Sequence, residues 1–514
     1  MSLAAAEKAR TEPDVIALSD ERVELSWADL DPLLNRAANA LLAHRLTPGE
    51  RIGIFAANSA ETVIAYLAGL HAGVSSVPIN FHLTADEVAY ILNDANARLV
   101  FVGPETASVA LDAAAKWGGV KVVGWRTDAP GVIAWEDFLA SGHEGEPPMH
   151  QAPQPYLHYT SGTTGRPKGA VTPPTMFPAA STVEGFFAAL RELAVAAAPG
   201  PGLAVGPLYH TGPLGSTRQL GGGKPLVTLE KFDPETVLAT IQRRRISSVL
   251  MVPTHFQRLL ALPRAVRARY DVSSLKAVFH TGAACPPEVK RAMIDWFGPV
   301  LMEAYGGTES GTTNMISSEE WLSKPGSVGK TLPPFELLVV GETGEELPQG
   351  SVGQIYFRDT TGRGVIYHND AAKTAAAHLR PGVFTLGEIG YVDADGYVFI
   401  TDRVSDMIVS GGVNIYPAEA EQTLIQHPEV ADVAVIGVPH ESMGEAVKAL
   451  VLPRDPAQPP SAEALDAFTR ERLAGFKCPR SYDIVADLGR NAMGKINKRA
   501  LRRPFWPTDR TIGG

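Results

Sequence analysis

Tyr159-Thr160-Ser161-Gly162-Thr163-Thr164-Gly165-Arg166-Pro167-Lys168-Gly169 is the most informative stretch of this 514-residue chain. It follows a short strand-like run, Tyr156–Tyr159. Its glycines let the backbone turn N–H groups inward, its hydroxyls add donors, and Lys168 adds a point charge. Together they make a cradle for a polyphosphate. The segment is not a Walker loop, because no Gly-Lys-Ser/Thr sequence occurs in it. A plain Ser/Thr/Gly surface loop is the alternative, and the density of hydroxyls and glycines beside a lysine argues against it.

Outward from this segment the chain alternates helical and strand patterns, which reads as α/β. Over Thr62–Leu70, Val63, Ile64, Leu67 and Leu70 mark one helix face between buried-strand runs at Arg51–Ala57 and Ser75–Pro78. Pro234–Arg244 and His255–Leu262 read as helices, Ser247–Pro253 and Leu275–His280 as strands, and Pro286–Trp296 as a further helix. After about Gly326 the character turns to β, with strands over Phe335–Val340, Gly353–Arg358 and Gly396–Thr401 separated by turn signals. From Val409 onward a small α+β unit follows. The expected architecture is two α/β lobes and a β-rich subdomain over residues 1–401, a hinge at 402–406, and a small mobile α+β domain over 407–514.

Composition bounds the function. Hydrophobic residues make up 45% and charged residues 20%, enough for a large core. Lys and Arg number 46 against 56 Asp and Glu, a net charge of −10, which excludes a nucleic-acid binder working by broad phosphate neutralisation. Cys285 and Cys478 lie far apart without metal-ligand spacing, so a disulfide framework and a zinc site are disfavoured and a reducing cytoplasm fits. The first residues carry Glu7, Lys8, Arg10 and Glu12 and do not read as a secretory signal. No apolar run reaches the roughly 18 residues of a membrane span.

Two further segments carry chemistry. In Ala304-Tyr305-Gly306-Gly307-Thr308-Glu309, Glu309 suits a magnesium anchor and Tyr305 could stack on a base or wall a pocket. In Gly494-Lys495 near the end of the chain, a lysine on a mobile segment could swing in and neutralise a developing negative charge. A solvated glycine turn and a basic surface turn are their bland readings.

The ordered set Tyr159–Gly169, Pro207-Leu208-Tyr209-His210, Ala304–Glu309, Phe384–Glu388, Thr401–Gly412 and Gly494-Lys495 resembles the adenylate-forming superfamily. That superfamily comprises acyl-CoA synthetases, firefly-type luciferases and peptide-synthetase adenylation domains. The resemblance runs over essentially the whole chain and is strongest to bacterial acyl-CoA and aryl-CoA ligases. It implies that a carboxylic acid and ATP give an acyl-adenylate and pyrophosphate, and that coenzyme A then displaces AMP. It implies that Thr160, Ser161, Gly162, Thr163, Thr164, Gly165 and Lys168 hold the β- and γ-phosphates, with Mg2+ near Glu309. Lys495 matches the lysine bridging carboxylate and α-phosphate, and His210 a gating or pocket-lining position.

Adenine is expected against Thr281, Gly282, Ala283 and Ala284 and the backbone of Tyr305, Gly306, Gly307 and Thr308. The ribose is expected on Glu388, where the family has Asp, and on Arg403. The hinge position falls on Ser405, next to Asp406, where the family has Asp or Lys. After rotation Gly411 and Gly412 would face the coenzyme A channel, with Lys477 and Arg480 candidates for its phosphates.

The acyl pocket is expected along Thr211–Leu214, Val252–Phe256, His280–Ala283 and Gly306–Thr313, whose residues are mostly small or apolar and leave room for a fatty, aryl or bulky ring acid. Arg218 and Arg258 flank it, and either one pointing inward would suit a malonate-type diacid. Delivery to a carrier protein and a catalytically silent nucleotide-binding protein are the other readings, and a homodimer is compatible with the sequence.

Overall fold

The computed structural model describes residues 4–46, 50–160, 167–341, 343–403, 406–410, 413–441, 443–491 and 494–506, with the backbone alone at 403 and 414. The helix Ala60–His71 joins its two α/β lobes. Ser59 caps it by accepting from Thr62 N–H. Periodicity over 62–70 predicts one buried face, yet every residue of the helix except Glu61 is buried. The reason is position. The helix packs on strands Arg51–Phe55 and Ser75–Pro78 on one side and on helices Trp27–Ala43 and Thr211–Gly221 on the other. Gly69 lets the sheet come close, since a Cβ there would meet Ser76 and Ile52, and a helix enclosed on all sides must be apolar all round.

The first lobe is a parallel sheet in the order Ser75–Pro78, Arg51–Phe55, Ala97–Val102, Lys121–Gly124, Ile133–Ala134. The second is a nine-stranded mixed sheet. Its centre is parallel, running Leu301–Gly307, Ala277–His280, Ser248–Met251, Gly202–Ala204, Leu226–Thr228, Ile16–Ser19. The N-terminal strand Ile16–Ser19 thus belongs to the second lobe although the first lobe follows it in sequence, so the lobes interlock. Strands buried on both faces carry continuous apolar runs such as Val249, Leu250 and Met251, which made them legible.

A six-stranded antiparallel sheet spans Phe335–Val340 through Val398–Arg403 and is closed inside by Phe335, Phe357 and Phe384. The next strand, Ile408–Ser410, pairs instead with Gly444–Pro453 in a separate sheet that also holds Val430–His440 and Ser481–Ile484. The change of sheet therefore falls between Arg403 and Ile408. Ile408, Leu424, Val435, Val447 and Leu465 form a core of their own beneath this last sheet.

Candidate active site

The two strands that flank the 161–165 stretch form a hairpin. Leu157–Thr160 pairs antiparallel with Lys168–Val171, and Thr160 stands directly opposite Lys168. Ser161, Gly162, Thr163, Thr164 and Gly165 lie outside the described residues. The Lys168 ammonium contacts Asp370 Oδ2 at 2.7 Å. Asp370 also caps the helix Ala371–Ala376 by accepting from Lys373 N–H. Asp370 stands in no motif, and no local pattern marks it as the partner of Lys168.

The remaining candidates converge at the carboxyl ends of neighbouring parallel strands, where a twisted α/β sheet opens a crevice. Gly282, Ala283 and Ala284 follow strand Ala277–His280, and Thr308 and Glu309 follow strand Leu301–Gly307. Strand Leu301–Gly307 turns back into Gly311–Ser317 with an irregularity at Tyr305/Gly306. Gly306 has φ +157°, and a Cβ there would stand 2.0 Å from the Gly311 carbonyl oxygen, so only glycine closes this turn. The Tyr367 hydroxyl donates to Glu309 Oε1 at 3.3 Å, and Thr211 Oγ1 lies 3.3 Å from Thr308 Oγ1. Glu388 is buried and directly opposite Arg403 in the antiparallel register. Leu386 packs at Gly307, bringing the Thr385–Glu388 segment to the same crevice.

His210 is the N-cap of helix Thr211–Gly221. Burial, with the Lys495 ammonium adding to it, holds its imidazole down at about 4, so it is neutral at pH 7. Lys495 therefore acts electrostatically on a residue nearly 300 positions earlier in the chain. Its neighbour Gly494, φ +71°, lies against Thr254 at the start of helix Pro253–Ala261. A scaffold holds this segment. Arg490 grips Asp432 bidentately, Nε to Oδ2 at 2.6 Å and Nη2 to Oδ1 at 2.7 Å, and its Nη1 donates to the Gly494 carbonyl. Asn491 Oδ1 accepts from Lys495 N–H at 2.9 Å. The last domain thus presents Lys495 to the crevice of the first.

The sequence pattern of the AMP-binding enzyme family matches residues 5–365, and that of the AMP-binding enzyme C-terminal domain matches residues 419–495. The chain belongs to the AMP-binding enzyme family. It is similar to a feruloyl-CoA synthase of an Amycolatopsis species, with 34% identity over 506 residues covering 97% of each chain. It is similar to an indoleacetate–CoA ligase of Aromatoleum aromaticum, with 31% identity over 500 residues covering 96% of this chain and 95% of the relative. The solved structure of an anthranilate CoA ligase in complex with anthranoyl-AMP superposes with TM-score 0.84 at 26% identity, covering 98% of this chain and 97% of the other. This AMP-binding enzyme is an AMP-forming acid–thiol ligase.

The two arginines expected to flank the acyl pocket part company in this AMP-binding enzyme. Arg258 is exposed, stacks on Phe232 at 4.8 Å and donates to the Phe232 carbonyl. Arg218 turns inward, 6.0 Å from the Tyr156 ring centroid. In the last domain Lys477 pairs with Glu419 at 2.5 Å and Arg480 is exposed, while Ser405, Gly411 and Gly412 lie outside the described residues. Among the described residues no helix is long and apolar enough to cross a membrane, and no group of three or more His, Cys, Asp or Glu side chains could hold a metal ion. Glu309 fits magnesium of the kind bound through one carboxylate plus substrate phosphates and water, rather than an all-protein cage.

Proposed function

We propose that the protein activates a hydrophobic aryl or bulky ring acid as its acyl-adenylate and transfers the acyl group to coenzyme A, releasing AMP and pyrophosphate. The observation that carries the residue roles is the seating of Gly494 on Thr254, which puts the charge of Lys495 beside His210 at the crevice. The obstacle to the first step is repulsion between a carboxylate and a polyanion. Lys495 would bridge the carboxylate and the α-phosphate while the carboxylate oxygen bonds to the α-phosphorus and the bond to pyrophosphate breaks. A cation fixed where charge develops lowers that barrier without reorganising solvent. Thr160, Lys168 and the loop between them would hold the leaving phosphates. Glu309 would hold magnesium, whose charge offsets that of the phosphate oxygens. Glu388 and Arg403 would take the ribose, and Gly282 to Ala284 with Tyr305 to Thr308 would wall the adenine.

A neutral His210 suits this step, because it can line the acid's path without competing with Lys495 for the carboxylate. For the second step the last domain would turn about residues 402–406, withdrawing Lys495 and bringing Gly411 and Gly412 to the thiol's path. The thiol sulfur then bonds to the acyl carbon and AMP leaves. Relatives that carry feruloyl and indoleacetate groups support an aromatic or bulky acid.

Pyrophosphate–ATP exchange with ferulate, indoleacetate, anthranilate and medium-chain fatty acids tests this reading. Acid-dependent exchange that also needs magnesium, with thioester formed from free coenzyme A, is the expected result. Exchange without thioester would move the acceptor to a carrier protein, and no exchange with any of these acids would count against the reading.

A further inference from the structure

One helix face spans the path of the acid. Thr211, Gly215 and Arg218 fall at i, i+4 and i+7 of Thr211–Gly221, in line on one side. At its near end Thr211 meets Thr308 of the nucleotide hairpin, and His210 caps the helix beside Lys495. Gly215 contributes no side chain. The Arg218 guanidinium folds back over it, with Nη2 3.6 Å from where a Cβ of Gly215 would stand. Arg218 is therefore aimed along the helix toward the nucleotide end.

Tyr156 lies beside this guanidinium, and His158 is near enough for its charge to act on the imidazole. They alternate along the chain into strand Leu157–Thr160 and so share one side of it, with ring centroids 6.0 Å apart. Tyr156 is 1% exposed and His158 is 3% exposed. His158 Nε2 has no hydrogen-bond partner, and Tyr156 Oη, beside the Thr217 hydroxyl, makes no hydrogen bond of good geometry. Among the described residues no carboxylate pairs with Arg218, and Tyr156 is the group that acts on it electrostatically after burial. Buried polar groups are almost always satisfied, and a buried cation without a counter-charge is costly. Two such buried groups gathered beside the half-buried Arg218 guanidinium suit an acceptor from outside the chain. Burial keeps His158 neutral, its pKa lowered to about 3, so it brings no second positive charge and can donate or accept a single hydrogen bond.

We propose that the acid carries a second carboxylate at its far end, received bidentately by Arg218 with Tyr156 Oη completing its hydrogen bonds. This rests on the ligase reading above and narrows its acid to one whose apolar middle ends in a second carboxylate. The helix sets the length. Four residues from Thr211 to Gly215 rise about 6 Å, too far for a malonate and matched by a straight diacid of about six to eight carbons or a ring bearing both groups.

The test compares matched probes, adipate with hexanoate, suberate with octanoate and 4-carboxycinnamate with cinnamate, by kcat/KM for thioester formation in the wild type, Arg218→Leu and Arg218→Lys. The sulfamoyl-adenosine analogues of suberate and octanoate are titrated in parallel, so that binding is read without turnover. At one length or more the diacid should exceed its partner, and Arg218→Leu should lower that ratio about 10- to 100-fold, the range of a charge-assisted hydrogen bond. Arg218→Lys should recover part of it. A purely structural Arg218 would lower both members equally and leave the ratio unchanged, which overturns the proposal. So does a wild-type preference for the plain acid at every length, including a preference for cinnamates bearing only a hydroxyl in place of the distal carboxylate. If neither analogue binds, the second carboxylate fails, while the ligase reading is judged separately by exchange with ferulate, indoleacetate and anthranilate. If both bind equally, that reading stands and the second carboxylate does not.

Discussion

Gly494 and Thr254 meet across the two domains so closely that a Cβ on Gly494 would stand 2.6 Å from Thr254 Cγ2. Gly494 also has φ +71°, a conformation that L side chains rarely adopt. Gly494→Val should therefore slow acid-dependent pyrophosphate exchange by about 10- to 100-fold, on the scale of 1.4–2.7 kcal/mol. Thioester formation from a synthetic acyl-adenylate should change little, because that step does not use this contact. Thr254→Gly in the same chain should recover part of the exchange by relieving the collision and leaving the backbone cost.

Arg490 and Asp432 hold the Lys495 segment in place through two charge-assisted hydrogen bonds. Arg490→Lys loses the fork geometry and should behave almost like Arg490→Ala. Each should lower the rate of adenylate formation about tenfold while leaving the KM for ATP near its wild-type value, which steady-state exchange kinetics will separate.

Lys290 and Glu303 form a buried ion pair, Nζ to Oε2 at 2.6 Å, behind the strand whose end carries Tyr305 to Gly307. Lys290→Met would strand the Glu303 carboxylate in the core and should cost about 3–5 kcal/mol in urea unfolding. Lys290→Met with Glu303→Leu removes both charges and should recover most of that loss. A double variant no better than the single would contradict this.

His71 and His158 are buried and neutral, each with its pKa lowered to about 3 by burial. The unfolded chain binds their protons below about 6.5 and the folded chain does not until about 3. Stability is therefore complete above pH 6.5 and falls as pH drops toward 3, at up to about 1.4 kcal/mol per unit for each histidine. Unfolding free energies between pH 7.5 and 5 should show this slope, and His71→Leu should make it shallower by that one histidine's share.

The sequence made some of this legible and not the rest. Pro234–Arg244 and Phe335–Val340 were readable to the residue, because a capped amphipathic helix and a turn-bounded apolar strand carry local signals. Enclosure of Ala60–His71 was not, since burial on a second face depends on which sheet arrives there. The site divides the same way. Lys168, Glu309 and Lys495 stand in motifs, whereas Asp370, Thr254 and the Arg490–Asp432 clamp act through contacts between segments far apart in the chain and have no local pattern. Arg218 and Arg258 look alike in sequence, and only the packing on Tyr156 and on Phe232 separates them.

The most direct measurement separates the two half-reactions in Lys495→Ala. Loss of acid-dependent pyrophosphate exchange by three orders of magnitude or so, about 4 kcal/mol of transition-state stabilisation, with thioester formation from synthetic acyl-adenylate close to wild type, is the predicted result. An equal fall in both half-reactions, or exchange that persists without this ammonium, would contradict the claim that Lys495 serves adenylate formation from its place beside His210.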